Sequence, residues 1–119
     1  YQAYGGSAYW AFTRDYVRYL VDFMNTHPDF VRFFRHVHLP EEIFYQTVLL
    51  NSPFKTSAIN DDLHYIDWNK PGAAKPATLT DEDLENMLES KKLFARKFDM
   101  QKNSRIVDML EKHLAGDAS

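Results

Sequence analysis

Cysteine is absent from this chain of 119 residues. Its absence excludes disulfide bonds and metal sites built on thiolates. Long apolar runs are absent as well, since none approaches the roughly 20 residues that a helix needs to span a bilayer. The chain also lacks a signal-peptide pattern, internal repeats and low-complexity tracts. We therefore expect no transmembrane segment within these residues.

Positive charge is not concentrated anywhere along the chain. The 14 Lys and Arg residues face 17 Asp and Glu residues, which gives a net charge of −3 without any long basic block. This balance argues against nucleic acid as a partner. Hydrophobic residues make up 45% and aromatic residues 15% of the chain, so it should fold. Its length suits a single domain with a modest core.

Apolar spacing and capping signals predict a mainly helical α/β fold with a few short strands. The main helices are predicted over residues 14–25, 40–51, 80–90 and 104–114, with a shorter one over 28–37. Residues 63–68 and 93–98 are predicted to be extended. Residues 117–119 are expected to fray. In the first helix Thr13 is the predicted N-cap. The predicted apolar face of that helix comprises Tyr16, Val17, Leu20, Val21 and Met24.

An acidic pair stands at the start of the helix predicted over residues 40–51. Pro40 suits the first turn of a helix, and Glu41 and Glu42 follow where the positive end of the helix dipole favours carboxylates. In the simpler interpretation, the two acids only stabilise the helix start. In the alternative, one of them is a base at the mouth of a site. The helix pattern by itself favours the simpler interpretation.

Three short motifs occur in order along most of the chain. They are residues 6–10 (GSAYW) with 13–17 (TRDYV), residues 40–44 (PEEIF) and residues 93–99 (LFARKFD). Together they resemble the C-terminal part of the core-2/I-branching β-1,6-N-acetylglucosaminyltransferase family, which includes the peptide O-xylosyltransferases. The resemblance implies the acceptor-side part of a GT-A-like glycosyltransferase, whose N-terminal nucleotide-binding half would lie upstream. The 119 residues alone are therefore expected to be inactive.

The resemblance also implies a reaction, the inverting transfer of a sugar from a UDP-sugar to a carbohydrate or other hydroxyl acceptor. N-acetylglucosamine and xylose are the expected sugars. Such a transfer needs a base for the acceptor hydroxyl and positive charge for the departing diphosphate. Glu42 matches the family's base, and Glu41 is assigned to the acceptor side. Lys97 matches the lysine that contacts the diphosphate, and Arg96 is a further candidate.

The sequence departs from the family pattern at two positions. The loop before the penultimate helix lacks the family's second phosphate-binding residue, an arginine, and Lys75 is the nearest cation, followed by Lys70. Trp68 matches the tryptophan near the acceptor sugar, but Lys70 replaces the companion aromatic residue, so the acceptor should differ. From the residues alone, Trp68 is equally well placed to pack in a core, and Lys97 to lie in solvent.

No metal ion or other cofactor is expected. Asp81 and Asp83 form an Asp-x-Asp string, a pattern that many glycosyltransferases use to bind a metal–nucleotide complex. However, Thr80 and Asp83 have the spacing of a helix capping box, and the family that the chain resembles works without metal. Animal relatives in the Golgi lumen are cysteine-rich, so the lack of cysteine favours a bacterial, cytoplasmic member. A membrane-associated acceptor is compatible with this assignment.

Two other function classes stay open. The second interpretation is a module that keeps the fold and binds carbohydrate without catalysis. An all-helical protein-interaction domain, with accidental motif matches, is the third interpretation.

Overall fold

The computed structural model describes residues 1–117 and forms two compact units, Tyr1–Asp62 and Leu63–Ser119. The assignment of residues 1–119 to a single domain stays a prediction. The fraying expected at residues 118 and 119 lies outside the described residues.

Helices dominate the regular structure, and the predicted α/β class with short strands is confirmed. Each of the predicted helices and both extended stretches have a counterpart in the structure. No helix within residues 1–117 has the length and apolar character needed to cross a bilayer. The α-helices are α1 (Arg14–Thr26), α2 (Pro28–Phe34), α3 (Phe44–Leu50), α4 (Leu84–Ser90) and α5 (Arg105–Asp117), and the strands are β1 (His64–Ile66) and β2 (Phe94–Arg96).

Helix α1 begins where its cap predicts, but its buried face only partly matches the predicted one. Thr13 caps the helix, and its Oγ1 accepts a hydrogen bond from the Tyr16 N–H at 3.3 Å. The buried residues are Tyr16, Leu20 and Phe23, whereas Val17, Val21 and Met24 are exposed. The predicted face was therefore partly wrong. The core of this unit is built from aromatic rings, and these rings contact the side of α1 that carries Phe23.

The core of the first unit is a cluster of aromatic side chains contributed by α1, α2 and α3. The Tyr16 hydroxyl donates to the Tyr45 carbonyl at 3.1 Å. Burial, helped by the nearby Tyr19, raises the pKa of Tyr16 well above its usual range, so the hydroxyl stays a donor. The buried members of the cluster are Tyr16, Leu20, Phe23, Phe34, Phe44 and Val48.

The helix predicted over residues 40–51 is not continuous. Pro40–Glu42 forms a 3-10 turn, in which the Ile43 N–H bonds the Pro40 carbonyl at 3.1 Å. The backbone of Ile43 has φ −129°, outside the helical region, and α3 begins after it. Glu41 and Glu42 therefore precede α3 instead of lying in its first turn. The single helix predicted over residues 40–51 is therefore wrong in its first turn, while the acids still lie just before the N-terminus of α3.

An extended N-terminal segment, residues 1–7, lies along α3 and is bound by its side chains. Thr47 Oγ1 accepts from the Tyr4 N–H at 3.0 Å and donates to the Tyr4 carbonyl at 3.2 Å. Asn51 Nδ2 donates to the Gln2 carbonyl at 2.8 Å. Four helical residues rise about 6 Å and two extended residues span about 6.6 Å. This near match lets side chains one helical turn apart reach alternate residues of the segment.

Thr47→Val should destabilise the first unit by about 1–3 kcal/mol, because the partly buried Tyr4 N–H and carbonyl lose their partner. Thr47 is only 3% exposed, so water cannot easily replace the hydroxyl. Urea unfolding of the 119-residue chain measures the loss. Thr47→Ser keeps the hydroxyl and should lose clearly less. Equal stability of the valine variant and the unchanged chain would contradict this account.

The second unit is built on a parallel pair of strands. Strand β1 pairs with β2, with His64 opposite Phe94 and Ile66 opposite Arg96. Residues 77–79 connect the two strand ends, since the Ala77 N–H bonds the Asp67 carbonyl and the Leu79 N–H bonds the Lys97 carbonyl, both at 2.8 Å. The core beneath is formed by Leu79, Met87 and Ile106, with Tyr65, Leu84, Ala95, Phe98, Val107 and Leu110 packed against it.

Side-chain caps organise the helices of the second unit. The Thr80 N–H donates to Asp83 Oδ2 at 2.8 Å, which confirms the capping role predicted for this pair. Asn103 Oδ1 accepts from the Ile106 N–H at 3.1 Å at the start of α5. Asn103 also donates to Asp81 Oδ1 at 3.0 Å and so ties the start of α5 to the turn before α4.

Candidate active site

The acidic 3-10 turn is clamped by the glycine-rich segment at the N-terminus. The Gly6 N–H donates to the Glu42 carbonyl at 2.8 Å. Gln46 Nε2 donates to the Ser7 carbonyl at 2.8 Å and to the Glu41 carbonyl at 3.3 Å. These bonds use backbone oxygens only, so they fix the turn and leave both carboxylates out of the clamp. Within the described part of its unit, neither carboxylate has a hydrogen-bond partner, and Glu42 is half-buried whereas Glu41 is exposed.

Gln46 was not singled out from the sequence. Its two donated bonds fix the orientation of the amide, and they leave its buried Oε1 without a partner among residues 1–117. A Cβ at Gly6 would lie 3.2 Å from the Gln46 Cγ, so this close approach favours glycine. Gly6 and Gln46 are 40 residues apart in the sequence, and no local pattern indicated that they would meet.

A group of aromatic rings packs around Tyr45, shortly after the acidic turn in the sequence. Trp10 stacks on Phe12 with centroids 4.1 Å apart and planes 12° from parallel. Trp10 also packs 4.8 Å from Tyr45, which follows Glu42 by three residues. Trp10 is 41% exposed, so part of this ring system is open to solvent. A partly exposed aromatic face suits the apolar face of a sugar ring.

In the second unit, the parallel strands bring two predicted site residues to one edge. Trp68 follows β1 by two residues, and Lys97 follows β2 directly. Because parallel strands run in the same direction, both residues emerge at the carboxyl end of the sheet, where ligands bind in open parallel sheets. Trp68 is 50% exposed, which argues against a role in core packing.

Lys97 lines a surface depression of about 390 Å³. Its side chain is exposed, and no described residue of its unit forms an ion pair with the ammonium group. The depression carries two lysines and one carboxylate, so positive charge dominates. The lining residues are Thr78, Lys97, Phe98, Asp99, Met100, Gln101 and Lys102.

The other predicted cations do not join Lys97 in this depression. The Lys70 ammonium lies 3.4 Å from Asp83 Oδ2 and forms an ion pair there. Lys75 is exposed in the loop after Trp68 and does not line the depression. Arg96 belongs to β2, is half-buried, and does not line it either.

Tyr65, in β1, has a hydroxyl group with a raised pKa. Burial raises the pKa of its hydroxyl, Asp83 and Asp67 raise it further, and Lys70 opposes them. Tyr65 is therefore neutral at ordinary pH and stays a hydrogen-bond donor.

The acids of the Asp-x-Asp string have structural partners. Asp83 accepts from the Thr80 N–H and pairs with Lys70, while Asp81 accepts from Asn103 and lies 3.5 Å from an Arg105 nitrogen. Across residues 1–117, no group of three or more His, Asp or Glu side chains is arranged to hold a metal ion.

The sequence matches the family model described as "Core-2/I-Branching enzyme" over residues 1–88, which is most of the chain. The chain belongs to the core-2/I-branching enzyme family. The matched residues include the acidic turn and Trp68, and they end before Lys97. The resemblance that the motifs indicated is thus confirmed at the level of the family.

Several core-2/I-branching relatives carry names of glycosyltransferases. The chain is 31% identical to beta-glucuronosyltransferase GlcAT14A from Arabidopsis thaliana, over 96% of this chain and 26% of the relative. It is 32% identical to xylosyltransferase oxt from Drosophila melanogaster, over 97% of this chain and 15% of the relative. It is 29% identical to xylosyltransferase 2 from Rattus norvegicus, over 94% of this chain and 15% of the relative. The chain therefore spans about a quarter or less of these relatives. No solved structure matches it significantly.

Proposed function

We propose that this chain is the C-terminal, acceptor-side part of an inverting glycosyltransferase with a GT-A-like fold. The observation that carries the proposal is its membership in the core-2/I-branching family, together with relatives named as glucuronosyl- and xylosyltransferases. The enzyme would transfer a sugar from a UDP-sugar to a carbohydrate or other hydroxyl acceptor. The nucleotide-binding half would lie upstream, which agrees with the small share of each relative that the chain spans.

Glu42 is the proposed general base. In an inverting transfer, the base takes the proton of the acceptor hydroxyl while its oxygen attacks the anomeric carbon and the diphosphate departs. The Glu42 carboxylate is not used by the clamp, whose bonds reach only backbone oxygens of the turn. The turn thus holds the residue in place and leaves its side chain available. Glu41 is exposed on the same turn and is proposed to contact the acceptor, as is Trp68.

Lys97 is the proposed cation for the departing diphosphate. Negative charge develops on the leaving group in the transition state, and a fixed ammonium stabilises it. The position of Lys97 beside a positively charged depression at the carboxyl ends of the strands supports this role. Arg96 and Lys75 remain proposals from the resemblance, without support from the lining of the depression.

The sugar and the location of the enzyme are further parts of the proposal. Xylose, one of the two sugars expected from the motifs, appears in the names of the animal relatives. Glucuronic acid, in the names of the plant relatives, was not expected and joins xylose and N-acetylglucosamine among the donors to test. A bacterial, cytoplasmic enzyme is proposed from the lack of cysteine.

A screen of the full-length protein against UDP-sugars, with and without carbohydrate acceptors, tests the proposal. Transfer, or slow hydrolysis of one donor, is the expected result. Carbohydrate binding without any turnover would instead support the non-catalytic module, for which the exposed rings of Trp10 and Trp68 are suited. The 119 residues alone are expected to be inactive, since the proposed nucleoside site lies outside them.

Activity should persist in excess chelator. The acids that resemble a metal-binding string already accept hydrogen bonds from Thr80 and Asn103, and Lys97 offers positive charge for the diphosphate instead. Turnover by the full-length protein in excess EDTA should match turnover with added Mn²⁺ or Mg²⁺. If chelation abolished turnover and either ion restored it, metal independence would be wrong, and Asp81 and Asp83 would become candidate ligands.

A further inference from the structure

We infer that Lys102 is the second cation of the leaving-group site, in place of the arginine that the sequence lacks. This inference rests on the proposed function, because it assumes that a diphosphate is held at Lys97. Lys97 and Lys102 line the same depression of about 390 Å³. The cations that the sequence pointed to, Lys75 and Lys70, do not.

A tight turn brings the two lysines to one cavity. The Asp99 carbonyl accepts from the Lys102 N–H at 3.1 Å and from the Asn103 N–H at 2.9 Å. Asp99 Oδ1 accepts from the Gln101 N–H at 3.0 Å. These bonds fold residues 99–103 back, so that Lys102 lies beside the depression that begins at Lys97.

The position of this turn is fixed from both sides. Before it, the Lys97 carbonyl accepts from the Leu79 N–H at 2.8 Å. After it, Asn103 caps α5 and bonds Asp81. The turn therefore holds the backbones of both lysines in place, although their side chains are long and exposed. A preorganised backbone reduces the ordering cost when a ligand binds.

The other residues that line the depression are compatible with a bound phosphate group. Thr78 offers a hydroxyl donor from the segment that connects the strand ends. The Asp99 carboxylate would repel an anion, but one of its oxygens already accepts the Gln101 N–H. Two lysine ammonium groups outweigh this single carboxylate. Lysine binds phosphate as a compact charge and does not need the planar geometry that arginine uses.

Other cations of this unit do not line the depression. Lys70 neutralises Asp83 beside the capping box. Arg105 lies 3.5 Å from Asp81 at the start of α5. Lys112 is exposed on α5, away from the residues that line the depression, and provides a matched control.

Binding of UDP and of uridine to the full-length protein, measured by titration calorimetry at fixed ionic strength, tests the inference. Lys102→Ala should weaken UDP binding about tenfold, the usual effect of losing one charge-assisted contact. Uridine binding should not change, because uridine has no phosphate. Lys97→Ala should behave in the same way, Lys102→Arg should restore most of the UDP affinity, and Lys112→Ala should leave it unchanged.

The outcomes separate this inference from the proposed function. If Lys97→Ala weakens UDP binding and Lys102→Ala does not, the role of Lys102 is wrong while the leaving-group site stands. Equal losses for UDP and uridine in Lys102→Ala would show a structural effect and would also overturn the inference. If neither alanine variant affects UDP, or if the unchanged protein binds no UDP, the diphosphate site at Lys97 is itself wrong.

Discussion

Glu42→Gln should lower the turnover of the full-length protein by about 10²–10⁴-fold, the usual cost of losing a general base. Glutamine keeps the size of the side chain and cannot accept a proton. The backbone carbonyl of residue 42 would still accept the Gly6 N–H, so the clamp on the turn should persist. Donor and acceptor affinity should therefore change little, and the loss should appear in kcat. Steady-state kinetics with titration calorimetry for both substrates measures the two effects separately.

Glu41→Gln is the matched control. In a 3-10 turn, adjacent residues point about 120° apart, so the two acids face different directions. Glu41 is also the more exposed of the two. Its replacement should cost far less turnover and appear mainly in acceptor affinity. If Glu42→Gln folds, binds both substrates and turns over normally, Glu42 only stabilises the turn, and the simpler interpretation of the acids is right.

Leu79→Ala should cost about 2–5 kcal/mol of unfolding free energy, the range for truncating a buried leucine. Leu79 is completely buried, and it lies in the segment that connects the two strand ends. Domains of this size are stable by roughly 5–15 kcal/mol, so the variant should unfold at a much lower denaturant concentration. The N–H of residue 79 also donates to the Lys97 carbonyl. A collapse of the core around residue 79 would therefore disturb the turn after Lys97.

Leu88→Ala removes the same atoms from a leucine of the same unit that is 39% exposed, and it should cost much less. Each unit contains one of the two tryptophans, so in a Trp10→Phe background the fluorescence of Trp68 follows the second unit alone. Urea titrations of the two leucine variants in this background give the comparison. Similar midpoints for both variants would show that Leu79 is not the centre of this core.

Local features of the fold followed well from the sequence. The caps Thr13 and Thr80 were predicted because a cap depends on residues three positions away. The buried face of α1 was less predictable, because apolar residues lie on more than one side of this helix. Packing against the aromatic core buries the face with Phe23 and leaves Val21 exposed. This packing depends on tertiary contacts, which the sequence of α1 alone does not reveal.

The candidate site followed from the sequence only in part. The family motifs pointed to Glu42 and Lys97, but they did not predict that Glu42 lies in a 3-10 turn ahead of α3. The parallel register that brings Trp68 and Lys97 to one edge depends on strands almost 30 residues apart. Gln46 and Lys102 were not identified, because their contacts with Ser7 and with the depression at Lys97 exist only in the folded chain.

The close approach at Gly6 affects how the N-terminal segment, residues 1–7, aligns with α3. The helix supplies similar hydrogen-bonding side chains at Thr47 and Asn51, so a shift of the segment by two residues would find partners again. Such a shift would bring Tyr4 or Ala8 to the place of Gly6. A Cβ there would lie 3.2 Å from the Gln46 Cγ, which is tighter than most contacts of a Cβ, so the Gln46 side chain would have to shift. The close approach at residue 6 thus favours the register that places a glycine there.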